Sequence, residues 1–124
     1  LKYILISEKG CADTEHVYEL ETPEGKLPLT TSTFDRDALI IENQQVSKVV
    51  LESCAGEPFV SVEFDSPALG MWSPAGLNAP FVCIEPWNGR GDRKGFTGPL
   101  DEKDLVNALA PGQVFRTGYT IEVF

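Results

Sequence analysis

Apolar positions in the chain recur with a period of two more often than with the helical period. In FVSVEF, Val60, Val62 and Phe64 share one parity while Ser61 and Glu63 take the other; in YTIEV, Tyr119, Ile121 and Val123 alternate with Thr120 and Glu122. Successive side chains of a strand point to opposite faces, so segments of this kind are half-buried strands. Short runs bounded by Gly, Pro, Asn and Asp predict strands over 2–7, 16–21, 38–42, 48–53, 59–64, 71–73, 81–85, 114–116 and 119–123. The run Phe81-Val82-Cys83-Ile84 does not alternate, and it predicts a central strand covered on both faces. The opening YILI is apolar on both parities with little charge, and it predicts an unprotected edge that invites pairing with a second copy or another segment. Helical spacing occurs only in LDEKDLVNAL, over 100–109, for two turns at most before Pro111-Gly112 stops it. With no internal repeat and no linker, residues 1–124 read as a single all-β unit, an antiparallel β-sandwich with at most one short helix.

Composition supports a folded domain and narrows its partners. The 124 residues suffice for one domain, and 42% apolar against 23% charged residues is globular usage. A net charge of −9 disfavours nucleic acid and anionic membranes, whose phosphates are bound by Lys and Arg; the one basic cluster, Arg90 to Lys94, is interrupted by Asp92. No apolar stretch approaches the ~20 residues of a membrane span, and the first residues lack the form of a signal peptide. The absence of an initiator Met points to a processed chain or a fragment. Cys11, Cys54 and Cys83 are odd in number and show no CxxC spacing, which with one His argues against a zinc site and, weakly, for a reducing, cytoplasm-like compartment. Cys83, inside an apolar run, reads as a small buried hydrophobe.

Candidate chemistry centres on PFVCIEPW. Glu85 ends the apolar run beside Pro86 and Trp87. A partly dehydrated carboxylate is a proton-transfer group, and Pro86 should end strand pairing so that side chains emerge at the sheet rim. A flat indole beside it would stack on a sugar ring; the competing reading pairs Glu85 with Arg90 or Arg93. Trp72, in ALGMWSPAG, fits a cleft wall or a core position equally. Asp35 and Asp37, in TFDRDALI, stand before a strand, where capping a turn is the plainer role. His16 is the single histidine, so no Ser-His-Asp or Cys-His set can be assembled without it. The Arg-Gly-Asp within GRGDRKG is short enough to occur by chance, and the segment lacks dinucleotide-site spacing.

Taken in order, LPLTTSTFDRDALII, KVVLES, SPALGMWSPAG, APFVCIEPWNGRGD, LDEKDLVNALAPGQVF and YTIEV resemble the C-terminal half of aldose 1-epimerase-like proteins, the galactose mutarotase family. CIEPW and the LAPGQVF-to-YTI segment are the most specific parts, and the resemblance runs from about Tyr18 to the C-terminus. It implies a galactose mutarotase-like supersandwich, of which this chain would be a partial one. It also implies cofactor-independent exchange of the α and β anomers of a free hexose. Carried over by position, Glu85 matches the base and Asp37 an acid that hydrogen-bonds sugar hydroxyls, with Asp35 the weaker match. Trp72 and Trp87 fall at the cleft wall. The family's catalytic histidines and a substrate-binding arginine come from an N-terminal half that this chain lacks, and His16 does not stand where the acid is expected. Three readings stay open: an incomplete or inactive portion of a mutarotase, a non-catalytic carbohydrate-binding module with the same cleft, and a half-sandwich completed by another copy or by a missing N-terminal half.

Overall fold

The computed structural model describes residues 1–7 and 9–124. Its strands are β1 (Lys2–Ile6), β2 (Ala12–Glu19), β3 (Leu39–Glu42), β4 (Lys48–Glu52), β5 (Pro58–Phe64), β6 (Ala68–Trp72), β7 (Cys83–Trp87) and β8 (Tyr119–Val123). They form a five-stranded sheet in the order β2-β1-β3-β6-β7 and a three-stranded sheet in the order β4-β5-β8. The strand pairings within both sheets are antiparallel.

The two sheets pack face to face because alternate residues of each are apolar. Leu5, Leu39, Ile41, Leu69 and Met71 from the larger sheet meet Val62 and Phe64 of β5, and Phe34 is buried in the same cluster. Ile84 of β7 and Val82 just before it pack against the same core. On its other face the larger sheet buries a smaller cluster, Ile4, Ala12 and Ile40, flanked by Ile6 and Trp87. A connection crosses that face after β7. The Ala12 amide donates to the Asp92 carbonyl and the Lys94 amide to the Ala12 carbonyl, both at 2.8 Å, so 88–94 runs from the β7 edge to the β2 edge.

Several expectations are corrected. YILI is no edge: β1 lies between β2 and β3, so its apolar residues on both parities face the two clusters. The Phe81–Ile84 run, expected at the centre, leads into an edge strand, and its second apolar parity belongs to an aromatic-lined outer face where Phe81 meets Trp72. Pairing continues past Pro86, which stands opposite Leu69, and reaches Trp87; an edge strand tolerates a proline whose missing N–H would have faced outward. Cys83 is half-buried rather than enclosed. Residues 114–116 form no strand. Helical structure at 100–109 shrinks to the 3-10 turn Leu100–Glu102, because Lys103 is extended and Leu105 takes a left-handed φ of 56°.

Candidate functional site

The face of β6 and β7 turned away from the main core is arranged in rows. Trp72 stands opposite Cys83, Gly70 opposite Glu85, and Ala68 opposite Trp87. Ile40 of β3 continues the Gly70–Glu85 row, and Glu42 continues the Ala68–Trp87 row. Because strand side chains alternate, Cys83, Glu85 and Trp87 share this outer face while Ile84 faces the core.

Glu85 is half-buried, and its Oε2 accepts a hydrogen bond from Trp87 Nε1 at 3.1 Å. Burial, then the adjacent Glu85 charge and hydrogen bond, pushes the Cys83 thiol above its ordinary range. Neither nearby arginine takes Glu85. The Arg90 guanidinium, only 3% exposed, pairs with Glu42 and with Asp104 at 2.8 Å. Arg93 pairs with Asp104 at 2.5 Å. Burial alone would lower the Arg90 pKa, but its hydrogen bonds to Glu42 and Asp104 outweigh that and raise it. The Arg90 hydrogen bond, in turn, holds the Asp104 carboxyl below its ordinary value. This network pins the crossing segment to the end of β3, and it withdraws the arginine of the Arg-Gly-Asp tripeptide from solvent.

Trp72 is half-buried and lies against Phe81, with ring centroids 6.3 Å apart and planes at 54°. Asp37 is exposed at a left-handed φ of 81°, and its Oδ1 accepts the Ala38 amide at 2.6 Å, the geometry of a turn residue. By the β3–β6–β7 register, Asp37 stands just past the Trp72 end of the sheet. Strand geometry puts its backbone roughly 14 Å from that of Glu85. His16 lies on β2, at the opposite edge from β7; four strand spacings put it about 19 Å from Glu85. Its Nδ1 sits 2.9 Å from Asp13 Oδ2, and that hydrogen bond lowers the Asp13 pKa. Asp13, Glu15 and His16 hold possible ligand atoms within 4.8 Å of one another, with Asp13 half-buried and the other two exposed, and Lys94 lies 3.6 Å from Glu15.

Two shallow hollows, of about 560 and 410 Å³, lie elsewhere: one beside Leu1, Glu21 and Gln45, the other beside Gly89, Arg90 and Lys103. Neither is lined by Glu85, Trp72, Trp87 or Asp37. Glu85, Trp72 and Trp87 are each half-buried on the outer sheet face. Two features of it were not singled out in the sequence. The interior glycine of ALGMW, Gly70, had a readable signal, since a strand glycine marks close approach. The Glu42–Arg90–Asp104 network had none, because its members are far apart in sequence.

Fold and site define an antiparallel β-sandwich bearing an arginine-free carboxylate and two tryptophans on the outer face of one sheet. No family model matches the chain. Among solved structures it is similar to a galactose mutarotase-related enzyme from Lactobacillus acidophilus, with a TM-score of 0.82, 29% identity, and coverage of 99% of this chain and 41% of that one. Among curated proteins it is 26% identical over 117 residues to the chromosomal and plasmid forms of Protein LacX of Lactococcus lactis subsp. lactis, covering 94% of this chain and 39% of each. The chain therefore resembles the galactose mutarotase-related proteins in both sequence and fold, and it spans about two fifths of the length of the relatives it matches.

Proposed function

We propose that the chain is the sugar-handling portion of an aldose 1-epimerase-like protein, with Glu85 as the base. The observation that carries the reading is a half-buried carboxylate, unpaired with either neighbouring arginine, on a sheet that superposes on a galactose mutarotase-related enzyme over 99% of the chain. In the proposed step, Glu85 takes the proton of the anomeric hydroxyl. The C1–O1 bond gains double-bond character, the C1–O5 bond breaks with its electron pair moving to O5, and an acid protonates O5. Rotation about C1–C2 and the reverse step close the ring on the other face. Proton removal and delivery need no cofactor. Asp37 would bind sugar hydroxyls, and Trp72 and Trp87 would border the hexose. His16, at the far edge, is too remote to be the acid, so the reading assigns the acid to residues outside these 124.

The test is mutarotation of α-glucose and α-galactose followed by polarimetry. The full product of the gene encoding this sequence is expected to accelerate it, and Glu85→Gln to abolish the acceleration. An active Glu85→Gln protein removes the assignment. The 124 residues alone are expected to give little or no acceleration.

A second reading, a non-catalytic carbohydrate-binding module, is favoured by the lack of a histidine near Glu85 among the described residues. A change of tryptophan fluorescence on adding glucose or galactose, with no mutarotation even in the full product, would favour it.

A further inference from the structure

We propose that Gly70 and Trp87 act together as positioning residues for the Glu85 carboxylate: the glycine leaves room for the indole, and the indole N–H holds one carboxylate oxygen. Trp87 Nε1 donates to Glu85 Oε2 at 3.1 Å. Gly70 is opposite Glu85 and Ala68 opposite Trp87, so the indole leans diagonally across the ladder over Gly70. A Cβ built at Gly70 would lie 2.5 Å from Cζ2 and 2.8 Å from Cε2 of that ring. The indole is flat and rigid, so it cannot yield at one atom; the whole ring would shift and take its N–H with it. Its position is fixed further by contact with the Ile4, Ala12 and Ile40 cluster. A carboxylate on an edge strand otherwise samples several rotamers, whereas this one is tied to a ring that the backbone of the next strand accommodates only because residue 70 has no side chain. Trp87 therefore orients the carboxylate besides bordering any ligand. The catalytic consequence rests on the reading of Glu85 as base; the structural link does not.

Nuclear magnetic resonance tests the link without any activity. The ¹⁵N-labelled chain has two indole N–H signals, from Trp72 and Trp87, assigned by W72F and W87F. The Trp87 signal is expected to move as acid protonates Glu85 and to lose that movement in Glu85→Gln. In Gly70→Ala it should leave its wild-type position and no longer follow the carboxyl. A wild-type Trp87 signal that ignores acid, or moves equally in Glu85→Gln, overturns the proposal, and this arm does not depend on whether Gly70→Ala folds. An unchanged Trp87 signal in Gly70→Ala overturns the role of Gly70. In the full-length product, Trp87→Phe keeps a ring but loses the donor, and kcat should fall about tenfold or more with KM little changed. An unchanged kcat in Trp87→Phe, with Glu85→Gln inactive, overturns the catalytic consequence. Activity surviving in Glu85→Gln removes the base assignment instead, while the resonance data still judge the link.

Discussion

β7 and β8 each end their sheet, and each carries apolar residues at alternate positions, yet the two edges use them differently. On β7 both parities have partners. Ile84 packs against the core, with Val82 just before the strand beside it, while on the outer face Glu85 meets both Cys83 and Trp87, and Trp87 lies over Gly70 of β6. On β8 the outer parity joins a charge ladder, with Lys48 lying 3.9 Å from both Glu63 and Glu122. Tyr119, Ile121 and Val123, on the inner parity, continue the face that buries Val62 and Phe64 on β5, yet they are 65%, 57% and 78% exposed. The inner face thus extends one strand beyond the sheet that covers it. Complete burial of a side chain such as Ile contributes about 1.5–3 kcal/mol. The difference teaches that apolar alternation marks the face a strand prefers to bury, and not whether these 124 residues bury it. The surface that a second copy or another segment would be expected to cover is accordingly β8 rather than the first strand.

The largest expected effect contrasts the two faces directly. Leu69, 1% exposed in the core, should cost about 2–5 kcal/mol when changed to alanine. Ile121→Ala should change the stability of this chain by less than about 0.5 kcal/mol, because its side chain is already wet. Urea unfolding of both variants measures the contrast. A cost for Ile121→Ala approaching that for Leu69→Ala, with light scattering above the mass of one chain, would mean that β8 is covered by another copy.

A smaller effect, in acid, concerns what holds the crossing segment beside β7. Asp104 has a folded pKa lowered below its ordinary 3.8, chiefly by the Arg90 hydrogen bond. The folded state therefore binds this proton less readily than the unfolded chain. The resulting stabilisation is present above pH 3.8 and is lost as pH falls through the lowered folded value. Urea midpoints taken from neutral pH downward should decline below about pH 4, and Asp104→Asn should flatten that part of the decline while lowering stability at neutral pH. An equally steep decline in Asp104→Asn would show that the pair carries none of it.

Much of the architecture was legible because it rests on local pattern. The segments 59–64 and 119–123 coincide with β5 and β8 to within a residue, although Ser61 is buried, and the short runs at 38–42 and 48–53 located β3 and β4 to within a residue. Strand order was not legible, because nothing in YILI or FVCI states which neighbours each strand acquires; apolar residues on both parities of YILI meant two buried faces, and on 81–84 they meant one core face and one aromatic-lined face. β2 was read from residue 16 instead of Ala12, since its polar residues 13–15 resemble a loop in composition. The helix expected at 100–109 fails through a tertiary cause: Asp104 is drawn to Arg90 and Arg93 and Leu105 turns left-handed, which no periodicity encodes. For the site, the strand that carries Glu85 and its adjacency to Trp87 were readable from CIEPW. The indole-to-carboxylate hydrogen bond and the clearance at Gly70 depend on register between β6 and β7 and were not.

The smallest effect asks how dry the face around Glu85 is, using a thiol already present. Cys83 is two residues from Glu85 on the same face, and its pKa is raised first by burial, then by the Glu85 charge and hydrogen bond. Only the thiolate is alkylated, so a raised pKa leaves less reactive sulfur at a given pH. Cys54, in the turn between β4 and β5, is exposed and serves as an internal reference. Mass spectrometry after a short iodoacetamide pulse at mildly alkaline pH should show Cys83 modified severalfold more slowly than Cys54. Glu85→Gln removes the charge and leaves the burial, so it should recover part of that difference and not all of it. Full recovery would mean that the carboxylate alone suppresses the thiol and that the face is wet. No recovery would mean that burial alone suppresses the thiol and that Glu85 does not act on Cys83, and the β7 edge would then keep its dryness but lose the mutual coupling of its outer side chains.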